Sequence, residues 1–227
     1  MPKRVDIYGG RDPRELAFYA PADVARIVRM PPATVHAWAF GMGQMPALIR
    51  PASRDRLSFK NVVELHILRV LRGKKLRVPK IRACMKNMRE MFDTDHPFAD
   101  VDARTDNVTI FVEQLNALID ASDGQAVIRP LLERYMERIE RDEDGLARRL
   151  FPSTYDERTD ERLIVVDPLR RFGRPVLEGV NIETSIIAER VRAHESPRSV
   201  ARDFEIPLRL VNAAIRFEDE MWKRKAA

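Results

Sequence analysis

Thr34, His36 and Ala37 stand on a short helical stretch, and Arg50, Arg54 and Arg56 follow it in a turn-rich connector. Small and polar side chains on a helix can meet base edges in a nucleic-acid groove, and arginines beside them can meet phosphates. Lys74 and Lys75, in Gly73-Lys74-Lys75, add a second positive cluster. Other chemistries find less support. His36, His66, His96 and His194 are scattered without metal-ligand spacing, so neither a metal site nor a cofactor is expected. The chain has no glycine-rich phosphate loop and no serine nucleophile turn, so an enzyme is not expected. Asp93, Asp95, Asp100, Asp102 and Asp106 form an acidic run near a loop. A metal-dependent nuclease needs carboxylates converging at strand ends, and a solvated acidic linker is the simpler reading.

The first group of residues needs a platform, and Tyr19 to Trp38 supplies one. Pro21 suits a first helical position, Asp23 favours the positive helix start, and Val24, Ala25, Ile27 and Val28 form an apolar face. Met30-Pro31-Pro32 stops that helix, and Pro32 starts another through Trp38, with Val35 and Trp38 on its inner side. The spacing predicts a helix-turn-helix, a layout that offers its second helix to a major groove; an ordinary core hairpin has the same pattern. Two extended pieces, 47–51 and 56–59, joined by a turn at 52–55, are expected to pair as a basic wing. Ser58 is a plausible cap for a helix over 59–72, with Val62, Val63, Leu65, Ile67, Leu68 and Leu71 facing inward. His66 on that helix reads as a partly exposed or hydrogen-bonded polar group. Another helix from 78 to 92 buries Ile81, Cys84, Met85 and Met88, with Cys84 an inert core thiol.

The remaining chain divides in character. Strands are expected at 107–112 and 115–121, then an amphipathic helix over 126–141, then short strands at 150–152 and 163–166. Beyond Pro168, Thr184 or Ser185 caps a helix to His194, a second helix runs 198–204, and a third runs from Pro207 to about Trp222. The fold class is therefore mainly α with a small α+β middle module. An N-terminal winged helix-turn-helix and a C-terminal three-helix, helix-turn-helix-like unit flank it. The expected domains are 1–95, 96–168 and 169–227.

Charge follows those divisions. Residues 1–95 hold 19 Lys/Arg against 9 Asp/Glu, a net +10, whereas 96–168 hold 9 against 17, a net −8. The basic first part suits phosphates and the acidic middle repels them. No run of 18 apolar residues exists, so no membrane span is expected, and the N-terminus lacks the apolar stretch of a secretory signal. One cysteine, Cys84, excludes an intrachain disulfide, and the expected location is the cytoplasm.

Val24-Ala25, then Pro32-Ala33-Thr34-Val35-His36-Ala37-Trp38, then Leu48-Ile49-Arg50-Pro51 and Arg56-Leu57-Ser58-Phe59-Lys60-Asn61-Val62 resemble the MerR-type winged helix-turn-helix. That family often carries an arginine where His36 stands, and its long dimerisation helix and metal-sensing cysteines have no counterpart here. Asp167-Pro168, Phe172-Gly173-Arg174-Pro175-Val176, Gly179, Thr184-Ser185 and the run Ala213-Ala214-Ile215-Arg216-Phe217-Glu218 are similar to a trihelical domain of bacterial toxin–antitoxin operons. Together, the two parts resemble the long form of VapB-type antitoxins. The resemblance implies an autorepressing antitoxin that binds operator DNA as a homodimer and neutralises a PIN-like ribonuclease toxin. It also implies DNA contacts from Thr34, His36, Ala37, Arg50, Arg54 and Arg56, and from Lys74 and Lys75. Two other readings stay open. One is a ligand-responsive MerR-like regulator without a toxin, with a pocket between the 108–121 strands and the 126–141 helix. The other is an interaction protein whose helix pairs only pack.

Overall fold

The computed structural model describes residues 8–71, 78–100, 125–152 and 162–225, together with 110 and 113. Helix α1 (Pro21–Val28) begins on Pro21, and the Asp23 carboxylate accepts the Ala20 N–H at 3.2 Å. Arg29 turns the chain with φ 54°, and α2 (Pro32–Phe40) starts two residues after the buried Met30. Val35, Trp38 and Ala39 anchor α2 inward.

Helix α3 (Phe59–Leu68) is the centre of the molecule, and all ten of its residues are buried. It packs against α1, α5 (Pro97–Asp100), α6 (Gln125–Met136) and strand β2 (Ala147–Leu150), so it has no solvent face. The apolar positions expected from spacing are all in the core, yet Lys60, Asn61, Glu64 and His66 are buried with them. Burial on all sides obliges those polar groups to find partners. The expected helix to residue 72 tightens into a 3-10 turn at Arg69–Leu71. Helix α4 (Val78–Phe92) buries the anticipated line of Ile81, Cys84, Met85 and Met88. Burial pushes the Cys84 thiol up to about 12, consistent with an inert core group.

The middle of the chain departs from expectation. The strand pair at 107–112 and 115–121 lies almost wholly outside the described residues, and Ile110, expected in a strand, is helical. The helix expected to reach 141 stops at Met136. A turn at Glu137-Arg138 leads into β1 (Ile139–Arg141), which pairs antiparallel with β2. Ile139 fits either periodicity, and its pairing opposite Leu150 decides in favour of the strand. The Asp142 carboxylate then closes the hairpin by accepting the Asp144 and Leu146 N–H groups at 3.2 and 2.9 Å. A second two-stranded sheet pairs β3 (Ile164–Val165) with β4 (Val176–Leu177). The architecture is thus mainly helical with a small antiparallel strand module in the middle.

Three helices follow: α7 (Thr184–Arg192), α8 (Pro197–Asp203) and α9 (Leu208–Lys225). Ser196 caps α8 by accepting the Ser199 N–H. Thr184 does not cap α7; Glu183 holds that position, and the Thr184 hydroxyl instead donates to Glu218 at 2.5 Å. The buried apolar side chains form two main clusters. One runs from Tyr19 to Leu150 and includes Val166, so the described apolar residues of 98–150 pack with those of the first ninety. The other joins Ile164, Leu177, Ile187, Val200, Val211 and Phe217.

Candidate nucleic-acid interface

On α2, His36 is exposed, Thr34 and Ala37 are half-buried, and Pro32 and Ala33 complete the outward edge. The His36 ring lies 5.2 Å from that of Phe40. The connector then doubles back. Met42 and Met45 exchange backbone hydrogen bonds of 2.9 and 3.0 Å, and both side chains are at least half exposed. Leu48 and Ile49 return to the core, donating their N–H groups to the Trp38 carbonyl.

The expected wing strands do not pair with each other. Leu57 pairs with Tyr19 through reciprocal backbone bonds of 2.9 and 3.0 Å, and residues 50–56 form a bend-rich loop. Asn61 on α3 accounts for this. Its Oδ1 accepts the Ala52 and Ser58 N–H groups, each at 3.1 Å, and its Nδ2 donates to the Arg50 carbonyl at 2.6 Å. A buried side chain thus satisfies backbone groups that a hairpin would have paired. The sequence reading missed Asn61, although Ser58-x-x-Asn61 has the spacing of a capping box. It also missed two basic braces on α4: Arg82 donates to the Pro46 carbonyl at 2.8 Å and Arg89 to the Leu48 carbonyl at 2.7 Å.

Arg50, Arg54 and Arg56 are all exposed on this loop. Arg50 is engaged with Asp95 at 2.8 Å, whereas Arg54 and Arg56 make no ion pair among the described residues. Lys74 and Lys75 lie outside the described residues. The acidic run is more structural than the expected solvated linker, as far as it is described. Asp100 accepts from Thr94 at 2.6 Å and pairs with the buried Lys60 at 2.9 Å, and Lys60 also meets Glu15 at 2.7 Å. Asp102 and Asp106 are outside the described residues. An open cleft of about 710 Å³ runs past Glu15, Arg50, Lys60, Arg89, Asp95 and His96. Among the described residues no group of three potential ligands could hold a metal ion, and no helix is long and apolar enough to cross a membrane.

Two histidines, the buried His66 on α3 and the half-buried His96 that meets α3 at Glu64, behave in opposite ways. His66 is fully buried, not partly exposed, and its Nε2 lies 3.2 Å from the Tyr135 carbonyl. Burial pushes its imidazole down to about 3, with Arg69 and Arg138 adding to the effect and the Tyr135 carbonyl opposing it. Burial alone would also lower His96. The buried Glu64 carboxylate, 3.0 Å from its Nδ1, overcomes that by hydrogen bond and by charge and raises it above its ordinary value, with Asp100 adding and Lys60 opposing. The unfolded reference is about 6.5 for both. Between about 3 and 6.5 the unfolded chain binds the extra proton at residue 66, so stability rises with pH there. Above about 6.5 the folded chain holds the extra proton at His96, and that stabilisation is lost as pH rises through its folded value. Acting together, the two place a stability maximum near pH 6.5. In urea titrations from pH 4.5 to 8.5, His66→Gln should flatten the acid limb, where this one group contributes about 1.4 kcal/mol per pH unit. His96→Gln should flatten the alkaline limb. Unchanged limbs in both variants would refute the assignment.

The geometry can be set beside known proteins. A family described as a protein of unknown function, DUF433, matches residues 164–217, the segment of β3, β4, α7, α8 and the first half of α9. A protein of Mycobacterium tuberculosis named as a candidate antitoxin, VapB45, is 25% identical over 223 residues, covering 85% of this chain and 90% of its own length. The crystal structure of Rv2018 from Mycobacterium tuberculosis superposes with a TM-score of 0.68 at 21% identity, covering 88% of this chain and 98% of that one. The overall fold is therefore one already seen in a solved protein.

Proposed function

We propose that this chain is a DNA-binding antitoxin of a type II toxin–antitoxin system, repressing its own operon and neutralising a PIN-like ribonuclease toxin. The observation that carries the reading is the similarity to VapB45 across 85% of this chain and 90% of that protein. The exposed outer edge of α2, bearing His36 with Thr34 and Ala37 beside it, is the part offered to base edges. Arg54 and Arg56, exposed and free of ion pairs among the described residues, supply phosphate contacts, with Arg50, Lys74 and Lys75 adding to them. A homodimer in the cytoplasm covers two half-sites, as DNA-binding helix pairs do. The ligand-responsive alternative finds no support in the relatives, and its pocket would fall largely on residues outside those described.

Two measurements test the proposal. Co-expression with the PIN-like product of a neighbouring gene should give a complex that survives purification and lacks ribonuclease activity. Arg54→Ala with Arg56→Ala should weaken binding to all duplexes and flatten the plot of log affinity against log salt by about 0.9 for each lost contact. A variant that binds its upstream DNA with the wild-type slope would remove the loop from the interface.

A further inference from the structure

The C-terminal unit repeats the layout of a short helix, a tight turn and a longer helix. Helix α8 spans seven residues, Phe204 to Pro207 form the turn, and α9 runs for 18 residues from Leu208. One side of α9 is buried through Leu210, Val211, Ala213, Ala214 and Phe217. On the opposite side Arg209, Asn212 and Arg216 are exposed. Spacings of three and four residues place these three on one stripe, the geometry by which a helix lines side chains along a groove. The first turn of α9 carries no acidic residue, so no charge within it offsets the positive end of its dipole. On α8, Arg198 and Arg202 are exposed four residues apart.

The ion pairing of this unit is selective. Arg190 pairs with Glu195 and with Asp203, and its guanidinium also lies over the Phe204 ring at 5.2 Å. Arg192 meets Asp219 at 3.6 Å and Arg174 meets Glu183 at 3.1 Å. Arg198, Arg202, Arg209 and Arg216 make no ion pair among the described residues. Asp203, the acid within α8, is already committed to Arg190, and Glu205 in the turn is a nearby opposing charge. Four arginines uncommitted on adjoining helices, with an asparagine between two of them, form a surface complementary to a polyanion. Arginine matches the guanine edge and asparagine the adenine edge in a major groove, and arginines on the preceding helix suit the flanking phosphates.

We propose that α8 and α9 form a second duplex-DNA surface, with Arg209, Asn212 and Arg216 entering the major groove and Arg198 and Arg202 holding phosphates. The N-terminal α2 surface is then one of two contacts made by each chain. The two units are tied at the ion pair of Arg26 on α1 with Glu218 on α9, 2.8 Å long, so the second contact is not a freely swinging appendage.

The test is fluorescence anisotropy of the full-length chain on a random-sequence duplex of about 40 base pairs, long enough for several helical turns, across a salt series. The Arg198→Ala/Arg202→Ala variant should bind about tenfold or more weakly and flatten the salt slope by about 0.9 per arginine. Arg54→Ala/Arg56→Ala, measured in parallel, should lose affinity by a separate and additive amount. All four arginines are exposed, and thermal melts of each variant matching the wild type confirm that binding and not folding is read. Wild-type affinity and slope in the 198/202 variant overturn the proposal, and if the 54/56 variant still loses affinity the first surface stands alone. Loss of the PIN-like partner with DNA binding intact reassigns α8 and α9 to a protein. A wild-type chain that binds no duplex overturns both surfaces.

Discussion

Alanine at position 173 should destabilise the protein by about 3 kcal/mol, from backbone strain of about 1–2 and overpacking of about 1–3. Gly173 sits at φ +76°, and a Cβ there would come 1.8 Å from the Tyr19 hydroxyl oxygen and 2.6 Å from the ring carbon that bears it. Tyr19 has no room to withdraw. It is 3% exposed, and its backbone is held on both sides by the bridge to Leu57. Three further rings, Tyr8, Phe18 and Phe172, pack with centroids 6.0–6.4 Å apart beside this contact. Gly179 is the internal control: its φ is +82°, but nothing lies within 4 Å of an added Cβ. Gly179→Ala should therefore show the conformational part alone, about 1–2 kcal/mol. Tyr19→Phe in the Gly173→Ala background should restore part of the difference by removing the closest atom. Urea denaturation of the four proteins measures both, and equal losses at 173 and 179 would rule out the clash.

Asn61→Leu should cost about 3 kcal/mol, because it strands backbone groups of Arg50, Ala52 and Ser58 that a leucine cannot serve. Ser58→Ala, which removes only the cap, should cost about 1 kcal/mol. The two variants should differ in a second respect. Loss of Asn61 frees the 50–56 loop, so limited trypsin digestion should cut after Arg54 or Arg56 faster than in wild type, while Ser58→Ala should leave that rate closer to normal. Cleavage at the wild-type rate in Asn61→Leu would mean that Leu57 and Tyr19 alone hold the loop.

Much of the helical framework was legible because apolar spacing and proline placement agree. Pro21, Pro32 and Pro197 each open a helix, and the buried lines of α1, α3 and α4 are those that spacing selects. The missed features have tertiary causes. His66 reads as a partly exposed or hydrogen-bonded polar group and turns out to be fully buried, because α3 is enclosed on every side; the distant Tyr135 and His96 make positions 66 and 64 tolerable. Thr184 has the chemistry of a cap, yet Glu218, 34 residues later, takes its hydroxyl. The loop after α2 reads as a hairpin by composition, and a single asparagine on the next helix redirects its hydrogen bonds. The exposure of Arg54 and Arg56 follows from their place in a turn-rich connector. The arginines on α8 and α9 become distinguishable only when their neighbours' ion pairs are known, since Arg190 and Arg209 look alike in the sequence.

The ion pair between Arg26 and Glu218 bears on how such a chain can be cut and recombined. The recurring C-terminal family segment ends at Phe217, one residue before the carboxylate that reaches back to α1 and also receives the Thr184 hydroxyl. A cassette trimmed at that boundary and grafted onto another N-terminal half would leave Arg26's counterpart without its acid. It would also bring a glycine at 173 whose missing side chain leaves room for a tyrosine such as Tyr19. Chimaeras that exchange the two halves should therefore retain stability when residues 19, 26, 173 and 218 travel as a set.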